Sequence, residues 1–345
     1  MITFHNPFHQ GHAPVHEFFR GERVPCFEKP ARVDYVEGAL RARGHGLMAP
    51  DVDSAPVLSQ VHAPRYLAFL QTAWQHWLAL DPANAGVQPF PSVWSVRTLR
   101  SDLEPENFVA RLGLYSMDNG TPMASGTWAA AKAGADAAAS AATLVAQGAR
   151  AAFCCTRPPG HHAGPDFMGG YCFLNNAAVA AQVLRNQGAQ RVALLDVDYH
   201  HGNGTQSIFY DRADVLFISI HGDPRTEYPF YLGHADETGV GEGAGFNLNL
   251  PLPAGTSATT WFDALESACA RIASQGADAL VVSLGLDTFE GDPISKFALA
   301  SADFTRVGER LARAGLPTVF VLEGGYAAAE LGTNAVNVLD GFEQV

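Results

Sequence analysis

Five short runs, apolar but for Ser219, Ser283 and Thr318, constrain this chain more than any other feature: Ala151–Cys155, Val192–Leu195, Val215–Ile220, Ala279–Leu284 and Thr318–Leu322. Apolarity that does not alternate implies strands buried on both faces, as in parallel sheets covered by helices. Helix-like stretches lie between or beside them, at Asn176–Arg185, Thr259–Ser274, Ala302–Ala314 and Ala327–Leu339. The alanine-rich segment Thr127–Ala146 is a further helix, with Gly148 as its stop. This rhythm predicts a doubly wound α/β domain, whose ligands bind beyond the carboxyl ends of the strands.

Polar residues gather where those strands should stop. After Val192–Leu195 comes Asp196-Val197-Asp198-Tyr199-His200-His201-Gly202-Asn203-Gly204. Asp196, Asp198 and His200 alternate, so a continuing strand would point all three to one side. Oxygen and imidazole donors at this spacing suit a divalent metal. Asp287, after Val281–Leu284, is the natural third ligand beside Asp198 and His200. Two carboxylates and one imidazole leave room for water and a substrate oxygen, as catalytic sites require, and suit zinc without excluding iron(II), cobalt or manganese. Arg157-Pro158-Pro159-Gly160-His161-His162 and Glu323-Gly324-Gly325-Tyr326 end two more of the strands. His161 and His162 could move the proton of an activated water, with Asp196 and Asn203 available to set their tautomers. Tyr326, freed by two glycines, could polarise a carbonyl opposite the metal.

Size, charge and cysteine usage narrow the class. The 345 residues are 47% hydrophobic and 17% charged, as in a globular enzyme. A net charge of −13 argues against nucleic acid and leans toward a cationic small molecule. No apolar run reaches the ~20 residues that span a bilayer, and the first residues lack a signal core, so a cytoplasmic protein without membrane association is expected. Five cysteines show no framework spacing and are read as reduced, with Cys154 and Cys155 in the core. The segment from about 81 to 125, broken by prolines and dotted with aromatics, is read as a long inserted loop in a single domain spanning 1–345. His5, His9, His12 and His16 are read as incidental, His62 and His76 as structural, His221 as lining or supporting the site rather than binding metal, and Glu290 and Asp292 as loop structure.

Together Arg157–His162, Gly169-Gly170-Tyr171-Cys172-Phe173-Leu174-Asn175-Asn176, Asp196–Gly204 and Glu323–Tyr326 resemble the zinc-dependent histone deacetylase and acetylpolyamine amidohydrolase family. Glu22–Glu28, His221–Pro224 and Asp292–Ser295 look most like its bacterial acetylpolyamine amidohydrolase branch. The resemblance implies the arginase/deacetylase fold, a central and mostly parallel sheet of about eight strands with helices on both faces. It implies one Zn2+ per chain on Asp198, His200 and Asp287, with Fe2+ or Co2+ as substitutes. A structural K+ would lie on Asp196, Ser219 and the backbone of Asp198, His200 and Ile220. His162 would be the general base and acid, supported by Asn203. His161, backed by Asp196, would orient water, and Tyr326 would bind the scissile carbonyl. Tyr171, Gly170 and Tyr228 would enclose the substrate's methylene chain.

The implied reaction releases acetate and a primary amine from a small cationic acetylated amine of the acetylputrescine, acetylcadaverine or acetylspermidine type. Acetyl-lysine in proteins or peptides, or another small acylated amine, is the alternative. The family's inserted loop carries a substrate-selecting glutamate and helps to form a homodimer. Gly120 stands at that glutamate's place here, with Asp118, Glu104 and Glu106 nearby, and the 81–125 loop is expected to narrow the site of a partner subunit. One rival reading is a two-manganese ureohydrolase, since Ser283-x-x-x-Asp287 and Asp292-Pro293 fit that family, although its other His and Asp ligands are missing. A non-catalytic binder of acetylated amines would be expected only if Tyr326, His162 or a metal ligand were replaced, and none is.

Overall fold

The computed structural model describes all 345 residues. Ten strands are β1 (Ile2–His5), β2 (His16–Phe19), β3 (Glu22–Pro25), β4 (Gly46–Met48), β5 (Ala151–Cys155), β6 (Val192–Asp196), β7 (Val215–Gly222), β8 (Asn247–Leu252), β9 (Ala279–Leu284) and β10 (Thr318–Leu322). The helices are α1 (Ala31–Arg43), α2 (Ala55–Val61), α3 (Pro64–Leu80), α4 (Phe108–Leu114), α5 (Thr127–Ala146), α6 (Asn176–Asn186), α7 (Asn203–Phe209), α8 (Ala258–Gln275), α9 (Ser301–Ala312) and α10 (Ala328–Gln344). Eight strands form one parallel sheet in the order β4-β1-β5-β10-β9-β6-β7-β8, and β2 and β3 pair separately as an antiparallel hairpin.

The five expected strands occupy the middle of this sheet because each has two faces to bury. Ala152, Cys154, Val192 and Leu194 pack into one core with α2, α3, α5 and α6. Phe153, Cys155, Ala193 and Leu195, their alternate neighbours, pack into a second core with α1, α8, α9 and α10. All five cysteines are buried and unpaired. The strands of this sheet missed from sequence are β1 and β4 at one edge and β8 at the other, and the β2–β3 hairpin was missed as well; β8 reads Asn-Leu-Asn-Leu-Pro-Leu, and its Pro251 is tolerated because an outer strand need not donate on that side. The segment 81–125 holds a single turn of 3-10 helix, the short α4 and otherwise irregular chain. No helix is long and apolar enough to cross a membrane.

This topology sets the site. β9 and β10, late in the chain, insert between β5 and β6, so the polar turns after β5, β10, β9 and β6 lie side by side at one edge of the sheet.

Beneath that edge lies a buried ionic cluster. Glu28 accepts from Arg157 Nε (2.7 Å) and Nη2 (2.5 Å) and from Arg32 Nη1 (3.0 Å), and both arginines are fully buried. Burial disfavours the Glu28 charge, yet the two guanidiniums outweigh it and hold the carboxyl at about 2. A depressed carboxyl stabilises the fold fully above its ordinary value near 4.5, and that contribution is lost as pH falls toward 2. Glu28→Ala, which strands two buried cations, is expected to cost about 3–5 kcal/mol in urea unfolding at neutral pH. That cost should shrink below pH 4; an unchanged midpoint at pH 7 would contradict the assignment.

Candidate metal centre and active site

The chain does not run on as a strand after Asp196, which corrects the simple alternation read from sequence. β6 ends there, and each acid turns the backbone on itself by accepting the amide two residues on. Asp198 N donates to Asp196 Oδ1 (3.0 Å), and His200 N to Asp198 Oδ1 (2.9 Å). The three side chains therefore separate. Asp196 turns to His161, whose Nδ1 lies 3.0 Å from its Oδ2, while Asp198 and His200 meet Asp287.

The Asp198, His200 and Asp287 donors lie within 4.8 Å of one another. His200 Nδ1 is 3.0 Å from Asp287 Oδ2 and 3.4 Å from Asp198 Oδ1. Bonds of ~2.0–2.1 Å to a tetrahedral cation put ligand atoms ~3.3 Å apart, so this trio matches a divalent metal. The outer oxygens are fixed by backbone: Gly324 N donates to Asp198 Oδ2 and Tyr199 N to Asp287 Oδ1, both at 2.8 Å. Burial and the neighbouring Asp198 raise Asp287 to about 7. Burial opposes charge on His200, but its bonds to Asp198 and Asp287 raise it to about 10. Such a pocket of buried negative charge favours a cation. Gly285 is required here, since a Cβ would fall 2.2 Å from Asp198 Oδ2.

Above the trio opens a cavity of about 700 Å³, lined by His162, Gly170, Tyr171, His200, Tyr228 and Tyr326 among others. His162 Nδ1 lies 2.6 Å from Asn203 Oδ1. An amide oxygen can only accept, so Nδ1 carries the proton and donates it in this bond, and Nε2 is left with a lone pair. Burial, with the cations of His161 and His200, pushes His162 well below its ordinary value, so it stays neutral. His161 sits behind it, ring centroids 4.0 Å apart, and is not on the cavity wall. Despite burial, Asp198 and Asp196 raise His161 to about 10.

Tyr326 is held from both ends: its amide donates to Asp292 Oδ2 (2.7 Å), and the Arg32 guanidinium lies 4.8 Å from its ring centre. Arg32 also donates to the carbonyls of Gly325 (2.6 Å) and Glu323 (2.5 Å). Glu323 Oε2 in turn accepts from the amides of Gly160 (2.6 Å) and His161 (3.1 Å), tying the tyrosine turn to the histidine turn. Sequence reading missed these supports; Asp292, read as plain loop structure, anchors the tyrosine, and Arg32 lies on a helix that no apolar stripe had marked.

The remaining candidates divide. Ser219 pairs in register with Asp196, and its hydroxyl lies 2.8 Å from His221 Nδ1; Ile220 follows it on β7. The His221 ring packs at a tilt against His201, centroids 4.6 Å apart, and reaches the Gly233 carbonyl, supporting the loop rather than lining the cavity. Glu104 accepts from Tyr115 and Arg111, and neither it nor the exposed Glu106 lines the cavity. His5, His9 and His12 face Glu37, Asp34 and Glu28 in turn, and His16 faces Arg23, so the four do not converge.

Comparison with known proteins agrees with this geometry. Residues 26–342 match the histone deacetylase domain. The chain is 53% identical to acetylpolyamine amidohydrolase 2 of Pseudomonas aeruginosa over 100% of this chain and 99% of that one. It is 46% identical to the acetylpolyamine amidohydrolase of Mycoplana ramosa over 94% of each. The crystal structure of acetylpolyamine aminohydrolase from Burkholderia pseudomallei superposes with a TM-score of 0.93 at 40% identity, covering 99% of this chain and 98% of that one. A domain match over nearly the whole length, and a metal-fitting trio beneath a paired histidine and a tyrosine, place this chain in the histone deacetylase family of metal-dependent deacetylases with the arginase/deacetylase fold.

Proposed function

We propose that this protein hydrolyses the acetamide of small N-acetylated polyamines, giving acetate and a primary amine. The observation that carries the reading is the convergence of His162, Tyr326 and the metal-fitting trio at one cavity walled by Tyr171 and Tyr228. The names of the relatives support polyamines as the substrate class. The donor set of Asp198, His200 and Asp287 favours one Zn2+ per chain, with Fe2+ or Co2+ as substitutes. When bound, the metal polarises the acyl carbonyl and lowers the pKa of water.

The chain's own residues do the rest. The Tyr326 phenol donates to the carbonyl oxygen as it gains negative charge. His162 Nε2 takes a proton from the attacking water and returns it to the leaving nitrogen, while Asn203 holds its tautomer. His161, paired with Asp196, keeps positive charge behind it. Tyr171 and Tyr228 exclude water from the methylene stem. Asp196, Ser219 and the backbone of Asp198, His200 and Ile220 offer oxygens for a structural K+.

Val87, Val93, Val96, Leu99 and Leu103 are exposed along the 81–125 segment, which supports a homodimer formed through it. The test compares turnover of acetylputrescine, acetylspermidine and an acetyl-lysine peptide by zinc-loaded enzyme fractionated by size. Acetylputrescine and acetylspermidine should be cleaved with higher kcat/KM than the peptide, by the dimer fraction. A faster peptide would overturn the substrate assignment, and a fully active monomer the role of the loop.

A further inference from the structure

The two walls of the cavity are fastened to one carboxylate from the inserted segment. Asp118 Oδ2 accepts from the Tyr228 phenol (2.6 Å) and from the amide of Gly170 (2.7 Å). Its Oδ1 accepts from the amide of Gly120 (2.9 Å) and the hydroxyl of Thr121 (3.0 Å), and Thr121 Oγ1 accepts from the amide of Tyr171 (3.0 Å). One wall is thus held by its phenol and the other by two successive backbone amides.

Those amides belong to a pair in the left-handed region, where only the tyrosine is strained. Gly170 has φ +52° and Tyr171 φ +68°, and a tyrosine persists in the left-handed region only when its surroundings over-determine it. A Cβ on Gly170 would lie 2.1 Å from His162 Cδ2, so this backbone rests directly on the general base. The Tyr171 phenol is pinned at its far end to Glu17 Oε1 (2.8 Å). Each wall also touches a reacting group. Tyr228 stands edge-on to His162 with ring centroids 5.0 Å apart, and Tyr171 stands 5.7 Å from Tyr326.

A carboxylate offers about four lone-pair positions, and Asp118 has four donors on it, so it has none left for a substrate ammonium. We propose that Asp118 is a positioning residue that sets the separation of Tyr171 and Tyr228, and thereby selects an unbranched amine chain over a branched one. This rests on the deacetylase reading above and names what makes that site selective.

The experiment uses full-length, metal-loaded enzyme and two acetamides, N-acetylputrescine and an analogue carrying one methyl branch on the chain. One methyl in a fitted apolar slot is worth ~10–200-fold in kcat/KM, which sets the wild-type ratio. Asp118→Ala should lower that ratio toward one, chiefly by raising KM for the straight substrate, with metal content unchanged. Tyr228→Phe, which removes only the phenolic hydroxyl and its bond to Asp118, should lower it part of the way. The double variant should be no worse than Asp118→Ala, because both changes break the same bond. Asp118→Asn keeps the Oδ1 bonds and should fall between. An unchanged ratio in Tyr228→Phe or in folded Asp118→Ala, or effects that simply multiply, would overturn the proposal. If Asp118→Ala fails to fold, the Tyr228→Phe ratio decides. Should the wild type cleave no acetamide, the functional reading fails on its own. The slot is then read from relative calorimetric affinities for straight and branched alkyl hydroxamates, where equal affinities for wild type and Tyr228→Phe would overturn it.

Discussion

Asp287→Ala is expected to lose its metal and its turnover together while keeping its fold. Asp287 Oδ2 is the ligand oxygen 3.0 Å from His200 Nδ1, and its loss leaves only Asp198 and His200, too few for tight tetrahedral binding. The fold should survive because the substitution also removes a buried carboxylate that Asp198 repels. The Tyr199 amide and His200 Nδ1 lose an acceptor, and His200 keeps Asp198 Oδ1 at 3.4 Å. Metal analysis after dialysis should give one divalent ion per chain for wild type and none for the variant, with acetate release below detection. Wild-type metal content in the variant would refute the ligand assignment. Two ions per wild-type chain would favour the dinuclear ureohydrolase reading.

Tyr326→Phe is expected to lower kcat by ~10²–10³, or about 2.7–4 kcal/mol of transition-state stabilisation, with metal content unchanged. The reason is the separation between what holds the ring and what the hydroxyl does. Arg32 over the ring face and Asp292 on the amide both remain in the variant, so the phenyl should stay in place. Burial pushes the phenol well above its ordinary value, so the wild-type group stays protonated and can donate. Only that donor is removed. A turnover near that of wild type would show that Tyr326 does not bind the developing oxyanion.

The core strands were legible because β5, β6, β7, β9 and β10 bury both faces, which leaves nearly unbroken apolar runs that no surface element would carry. α5 was legible to its ends because alanine fills the close approach of a helix to a sheet. α1 was not, since it buries Arg32 and Glu37 alongside its apolar residues and so shows no clean stripe. The proposed ligands Asp198, His200 and Asp287 and the pair His161 and His162 were legible because each stands just past an apolar run. Asp118, Glu17, Arg32 and Asp292 follow no such pattern. Each acts on a group at least 34 positions away, a distance along the chain across which neither periodicity nor motif spacing carries information.

The sequence by itself therefore determined the kind of sheet, and it pointed to the metal donors and reacting side chains proposed above, because all of these are written in local runs and the residues that end them. That Asp196 backs His161 was implied by the family resemblance; only the tertiary structure decided how the turn after β6 separates Asp196 from Asp198, and what braces the walls. The turn after β6 sends Asp196 to His161 and Asp198 to His200, and the late strands β9 and β10 slide between β5 and β6 to close the site. Strand order and turn geometry come from packing across the whole core, so no single stretch of residues encodes them.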